Sequence, residues 1–137
     1  TDFIHARTEI ATILQEENQL MEIVKLIGAD VLPDEQKLII EIARVIRIGF
    51  LQQNAFHTED TYVPLEKQLK MMQIILHLYH MSLRVVEANI PISSITESGL
   101  FDKLTKIKYD IPNNQLGMFD EYEKQINTAI TAILQNK

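Results

Sequence analysis

His77 and His80 stand three residues apart in the run HLYH. On a helix that spacing brings two imidazoles to one face, within reach of a shared metal ion. No third ligand follows at a metal-site spacing, and both fall in an apolar helical stretch, so no metal site is assigned and a structural or surface role is expected. His5 and His57 lack even a pair. Glu59 and Asp60 could be read as an acid and a base. Adjacent residues in a loop seldom converge on one atom, however, and charged loop side chains are mostly solvated. The motifs G-x-S-x-G, H-E-x-x-H and G-x-x-x-x-G-K-[ST] are absent, and the four glycines are scattered. The chain therefore has no nucleophile elbow, zincin helix or phosphate cradle, and no catalytic residue is expected in it.

Two stretches offer binding chemistry instead. Residues 50–68 read FLQQNAFHTEDTYVPLEKQ and separate two strongly helical segments. Long loops with aromatic side chains either fold back on the core or face a ligand. Phe56 can plug the bundle or stack on a flat ligand such as a base, and plugging is the default. The second stretch is the acidic turn Asp30, Val31, Leu32, Pro33, Asp34, Glu35 and Gln36. It sits at the tip of a helical hairpin, where it is either a solvated, well-capped turn or a contact with something outside the domain. Met71 and Met72 suit an adaptable groove, but Met72 falls in an apolar stripe and core filling is expected.

The elements that must position these residues are helical. The 137 residues suit a single domain, 1–137, large enough to fold without staples. Cysteine is absent, so disulfides and thiolate metal sites are excluded. The formal net charge of -6 argues against nucleic acid as a partner. No stretch approaches the length of a membrane span, no signal peptide is visible, and Thr1 in place of an initiator Met suggests a processed chain or a piece of a longer one.

Residues 3–27 read as one helix, with Ile10, Ile13, Leu14, Leu20, Ile23, Val24 and Ile27 at steps of three and four around a polar gap at 15–19. Gly28 suits its C-terminus. Pro33, Asp34 and Glu35 open a second helix to about Leu51, on which Arg44 and Arg47 share a face. Pro64 opens a third, patterned by Leu65, Leu69, Met72, Leu76, Tyr79, Leu83 and Val86 and ending near Asn89. Beyond it, 92–95 reads as a single turn, and Ser98 as the N-cap of a short helix bearing Leu100, Phe101, Leu104 and Ile107. A last helix runs from about Leu116 to Leu134. The expectation is all-α: an antiparallel bundle of about five helices with one long ordered loop.

The run LPDEQKLIIEIARVIRIGFLQQNAFHTEDTYVPLEKQ, with LQEENQLMEIVKLIG before it, resembles the C-terminal region of the catalytic A subunit of V-type and archaeal A-type rotary ATPases. The resemblance is continuous over residues 14–81, continues loosely through Ile90-Pro91-Ile92 and then fades. FLQQNAF followed by D-x-Y-x-P-x-E-K-Q is its most specific part. The resemblance implies a helical domain at the end of a catalytic subunit that alternates with B subunits around central-stalk subunits. It implies that Mg-ATP or ADP is held mainly by a middle domain absent from this chain, so no cofactor is expected in this fragment. It further implies a cytoplasmic assembly peripheral to the membrane that drives H⁺ or Na⁺ transport, with no membrane insertion by this chain.

Carried over by position, Phe56 would line the adenine pocket, and Asp30, Val31, Leu32, Pro33, Asp34, Glu35 and Gln36 would face the stalk. The charge of the corresponding acidic loop in F-type enzymes is only partly kept here, by Asp30, Asp34 and Glu35. The rival expectation, of another class, is a free-standing helical adaptor that binds a protein partner and no nucleotide. The absence of a phosphate-binding loop favours it if this chain acts alone. A reading frame upstream of Thr1 that encodes such a loop would decide between the two.

Overall fold

The structure is a computed structural model and describes residues 1–51 and 63–136. Helix α1 spans Asp2–Ile27. The Thr1 hydroxyl accepts from the Ile4 N–H at 3.4 Å, and Asp2 places negative charge on the first turn. It ends at Gly28, whose φ of 87° carries little strain only in glycine. A single 3₁₀ turn, Ala29–Val31, and the extended Leu32 and Pro33 lead into α2, Asp34–Ile46. Its carboxylates Asp34 and Glu35 lie in the first turn, as the helix dipole favours.

From Arg47 to Leu51 the winding widens to a π turn. Such turns are rare and concentrate at functional sites. Here Gly49 is pressed against a neighbouring backbone: a Cβ on it would lie 2.6 Å from the Leu104 carbonyl oxygen and 3.2 Å from the Thr105 Cα. Helix α3, Leu65–Glu87, follows Pro64 and closes before Asn89, which has φ 63°, and Pro91. Four further helices complete the described residues: α4 Ser93–Ser98, α5 Leu100–Leu104, α6 Ile107–Asp110 and α7 Met118–Gln135.

Helices α1, α2 and α3 pack on one another, α7 lies on α3, and α5 lies against α2. The core is filled by Leu38, Ile42 and Ile46 of α2, Met71, Met72, Ile75 and Leu78 of α3, Ile95, Phe101, Leu104 and Ile107 of the short helices, and Ile111 just after α6. Both methionines thus fill the core, as expected of Met72. The all-α bundle expected from the sequence is the fold found, with no strand among the described residues.

Several local expectations are corrected. Ile23 and Ile27 were expected in the buried stripe of the first helix, yet both are exposed, because among the described residues no element covers that face of α1. Leu65, expected in the stripe of α3, is also exposed. Ser98 is not the N-cap of the following helix, since Gly99 holds that place. Ser98 closes α4, donating to the Ile95 carbonyl at 2.5 Å and accepting from the Leu100 N–H at 3.3 Å. Gly99, left-handed at φ 81°, turns the chain into α5. The single short helix expected beyond Ser98 is divided between α5 and α6, and the turn at 92–95 grows into α4.

Candidate functional site

The tip of the α1–α2 hairpin is the best-defined candidate. From residue 22 to residue 31 no side chain is buried. Leu26 is 84% exposed, Ile27 62%, Val31 59% and Ile23 40%, so four large apolar side chains face solvent together. Thr12, Gln15, Glu16 and Gln19 precede Ile23 and Leu26 at helical spacing on the same face of α1. That face is therefore polar along the body of the helix and turns apolar only in its last two turns.

The residues expected at the tip do not act alike. Asp30, Val31, Pro33 and Glu35 point outward, Gln36 is half-buried, and Leu32 is buried. Asp34 turns inward, and its carboxylate accepts the Ile92 N–H at 2.9 Å. That bond fastens the start of α2 to the turn between α3 and α4, so Asp34 is not simply a solvated acid. Pro33, Asp34 and Glu35 line a shallow cleft of ≈ 290 Å³ with Val86, Asn89, Ile90 and Pro91.

Farther along, ion pairs join α2 and the π turn to their neighbours. Arg47, at the start of the π turn, reaches Glu17 of α1 at 2.5 Å, and Glu17 is itself almost fully buried. The Glu17 hydrogen bond raises the Arg47 guanidinium above its ordinary range against the opposing effect of burial. Arg44 bonds Glu41 and Asp102, each at 2.9 Å. Burial lowers its pKa, but the two carboxylates outweigh burial and the net shift is upward. Though they share a face, the two arginines thus tie α2 to different neighbours, Arg44 to α5 and Arg47 to α1.

Phe56 lies outside the described residues, as do His57, Glu59 and Asp60. The chain on either side is well anchored. On one side stands the π turn with Gly49. On the other, the Gln68 amide donates to the Val63 carbonyl at 2.8 Å. The buried Lys67 ammonium donates to the Lys108 carbonyl at 2.8 Å and to Asn113 Oδ1 at 2.9 Å, holding the first turn of α3 to α6 and the segment after it.

His77 and His80 do not converge. His77 Nε2 meets Asn127 Oδ1 of α7 at 2.6 Å, whereas His80 Nε2 meets Glu9 of α1 at 2.5 Å. Their roles are to bridge helices. A cleft of ≈ 110 Å³ beside His77, lined also by Lys70, Gln73, Asp120 and Glu123, is smaller than ordinary ligand pockets. Among the described residues no helix is long and apolar enough to cross a membrane.

The exposed apolar tip is the feature that sequence reasoning missed. A signal was present. Ala6, Ile10, Ile13, Glu17, Leu20 and Val24 already form a continuous inward stripe, which leaves Ile23, Leu26 and Ile27 surplus to it.

Comparison with known proteins places the chain among relatives. The family described as the C-terminal domain of V and A type ATP synthase matches residues 1–96. The chain is 47% identical over 134 residues to the V-type ATP synthase alpha chain 2 of Clostridium tetani, and the match covers 98% of this chain and 23% of that protein. It is 44% identical over 135 residues to the V-type ATP synthase alpha chain of Halothermothrix orenii, again 98% of this chain and 23% of the relative. To the A subunit of the A-type ATP synthase of Methanopyrus kandleri it is 39% identical with the same coverage. The chain thus spans about a quarter of the length of these relatives. The family model ends at residue 96, close to where the resemblance fades, while the matches to these relatives take in nearly the whole chain. On these grounds the chain belongs to the family of C-terminal domains of V- and A-type ATP synthases.

Proposed function

We propose that this chain is the C-terminal helical domain of the ATP-hydrolysing or ATP-synthesising catalytic subunit of a V/A-type rotary ATPase. In this reading it couples closure of a nucleotide site to rotation of a central stalk, and through the stalk to H⁺ or Na⁺ transport. Mg-ATP or ADP is held by a separate nucleotide-binding domain, and this chain supplies no phosphate or metal ligand. Phe56 contributes adenine stacking worth about 1 kcal/mol, enough to assist binding but not to hold a nucleotide. The hairpin tip from Asp30 to Gln36 bears on the stalk subunits, and B subunits flank the domain in the soluble, cytoplasmic sector.

One observation carries the proposal. A single stiff hairpin joins the exposed tip to the π turn Arg47–Leu51, directly after which the chain enters the segment holding Phe56. The Glu17–Arg47 pair joins α1 to the π turn and the inner face of α2 is buried along its length, which supports a lever whose two ends move together. Such a lever transmits displacement by stiffness, and it tolerates loss of acidic residues at the tip better than loss of packing along its length.

Phe56→Ala in the complete catalytic subunit tests the nucleotide half. ATP binding is expected to weaken by roughly five- to tenfold, with an unchanged melting temperature. Unchanged affinity with a sharp fall in melting temperature would make Phe56 a core residue and remove the adenine assignment.

A further inference from the structure

We infer that Lys67 is a positioning residue for nucleotide binding, and that it acts by fastening the start of α3 to residues 104–113, the same stretch on which Gly49 seats the end of the π turn. The inference rests on the function proposed above, in which Phe56 stacks on adenine. It gives the short helices α5 and α6, which carry no nucleotide-facing residue in that proposal, a part in setting nucleotide affinity.

Three observations lead to it. The chain before and the chain after the stretch that holds Phe56 are fastened to one support. On the incoming side, Gly49 lies so close to the end of α5 that a Cβ would stand 2.6 Å from the Leu104 carbonyl oxygen and 3.2 Å from the Thr105 Cα. On the outgoing side, the Lys67 ammonium donates to the Lys108 carbonyl at 2.8 Å and to Asn113 Oδ1 at 2.9 Å. A common support fixes the span between the two points at which the chain leaves and rejoins the bundle.

The choice of lysine is the second observation. Lys67 is 2% exposed, and burying an ammonium is costly, so an apolar side chain would fill the same space more cheaply. What lysine adds is reach. Its two acceptors lie 41 and 46 residues away in sequence, on a different part of the bundle. The third observation is that the support is itself held. Phe101, Leu104, Ile107 and Ile111 are at most 1% exposed, and the Arg44 guanidinium of α2 donates to Asp102 of α5 at 2.9 Å. Close-packed cores of this kind transmit displacement instead of absorbing it. Aromatic stacking depends on ring separation and offset, so a small shift of the chain ends is enough to weaken it.

The test measures ATP affinity of the complete catalytic subunit. Lys67→Met, Asn113→Ala and Asn113→Asp are each made in the native background and with Phe56→Ala. In the native background Lys67→Met is expected to weaken ATP binding about threefold and Asn113→Ala about twofold, whereas Asn113→Asp, which keeps an oxygen acceptor, should bind like the parent. With Phe56→Ala present, the further loss from either variant should stay below about 1.5-fold, because a residue that acts through another has nothing left to position. Affinity for inorganic triphosphate, which lacks a base, should be unchanged throughout. Lys67→Met is expected to lower the melting temperature as well. Asn113→Ala, at an exposed position, is expected to leave it unchanged, and so separates positioning from stability if Lys67→Met fails to fold.

Losses that persist with Phe56→Ala, or that extend to inorganic triphosphate, would mark general damage and overturn the inference. Full ATP affinity in Asn113→Ala and in folded Lys67→Met, with Phe56→Ala still weakened, would overturn it and leave the adenine assignment standing. Unchanged ATP affinity in Phe56→Ala would remove the adenine assignment and the inference with it.

Discussion

Between residues 22 and 31 no side chain is buried, whereas at the other end of α2 a Cβ on Gly49 would stand 2.6 Å from the Leu104 carbonyl. The tip has few internal obligations. Its apolar residues other than Leu32 are not buried, and Asp34, whose carboxylate does structural work there, sits at its base. The far end is crowded. Gly49 touches the backbone after α5, Arg44 reaches Asp102, Arg47 reaches Glu17, and Lys67 holds the chain beyond α6. The contrast shows how one rigid hairpin can be free at the end that meets a neighbour and pinned at the end that leads toward Phe56. Substitutions should follow the same division, altering binding at the tip and stability at the far end.

The sharpest way to break that comparison is Gly49→Ala. The close atom is a backbone oxygen and cannot swing away, so overpacking should cost about 2 kcal/mol even after the small gain in helix propensity. A thermal melt should fall by several degrees, roughly 7 °C for a domain of this size. An unchanged melt would show that the far end is no tighter than the tip.

A smaller effect is expected from Arg47→Met, which keeps the apolar stem and leaves the almost fully buried Glu17 carboxylate without its partner. Loss of one partner of a fully buried pair costs several kcal/mol. The Arg47 side chain is 43% exposed, and water offsets much of that, so about 1 to 2 kcal/mol is expected in a urea titration. A loss within about 0.5 kcal/mol would place Glu17–Arg47 among ordinary surface pairs and weaken the lever.

The smallest expected effect concerns pH. Burial raises the Tyr79 pKa, and the carboxylates of Glu16, Glu9, Glu35 and Glu87 raise it further. The folded chain therefore holds the neutral phenol better than the unfolded chain does. Its contribution to stability is complete below the ordinary value of 10.0 and is lost as pH rises from there through the folded pKa. Stability of Tyr79→Phe should accordingly fall less steeply than that of the parent above about pH 10. Parallel curves would mean that the phenol titrates in the fold as it does in the unfolded chain.

The signals that proved legible were local. Gly28, Pro33, Pro64 and Pro91 punctuate the chain where α1 ends and where α2 and α3 begin or close, because each acts on its own backbone and one neighbouring turn. The three- and four-residue periodicity marked α2 and α3 well, since their stripes meet partners over nearly their full length. Ser98 misled because a serine that follows helical residues can bond back to them as readily as forward, and here it does both. At the candidate site, the hairpin tip was legible as an acidic turn. Its apolar surface was not, because Ile23 and Ile27 fit the helical period as well as any core residue does.

By itself, then, the sequence determined an all-helical chain, the positions of its turns and membership of a family, all written in short-range backbone chemistry and in extended similarity to relatives. The tertiary structure alone decided which apolar residues are buried, where α2 opens into a π turn, and that Asp34 faces inward while Leu26 faces out. The physical reason is that burial belongs to pairs of elements. An isoleucine on α1 enters the core only where a second helix lies over it, and among the described residues none buries Ile23 or Ile27.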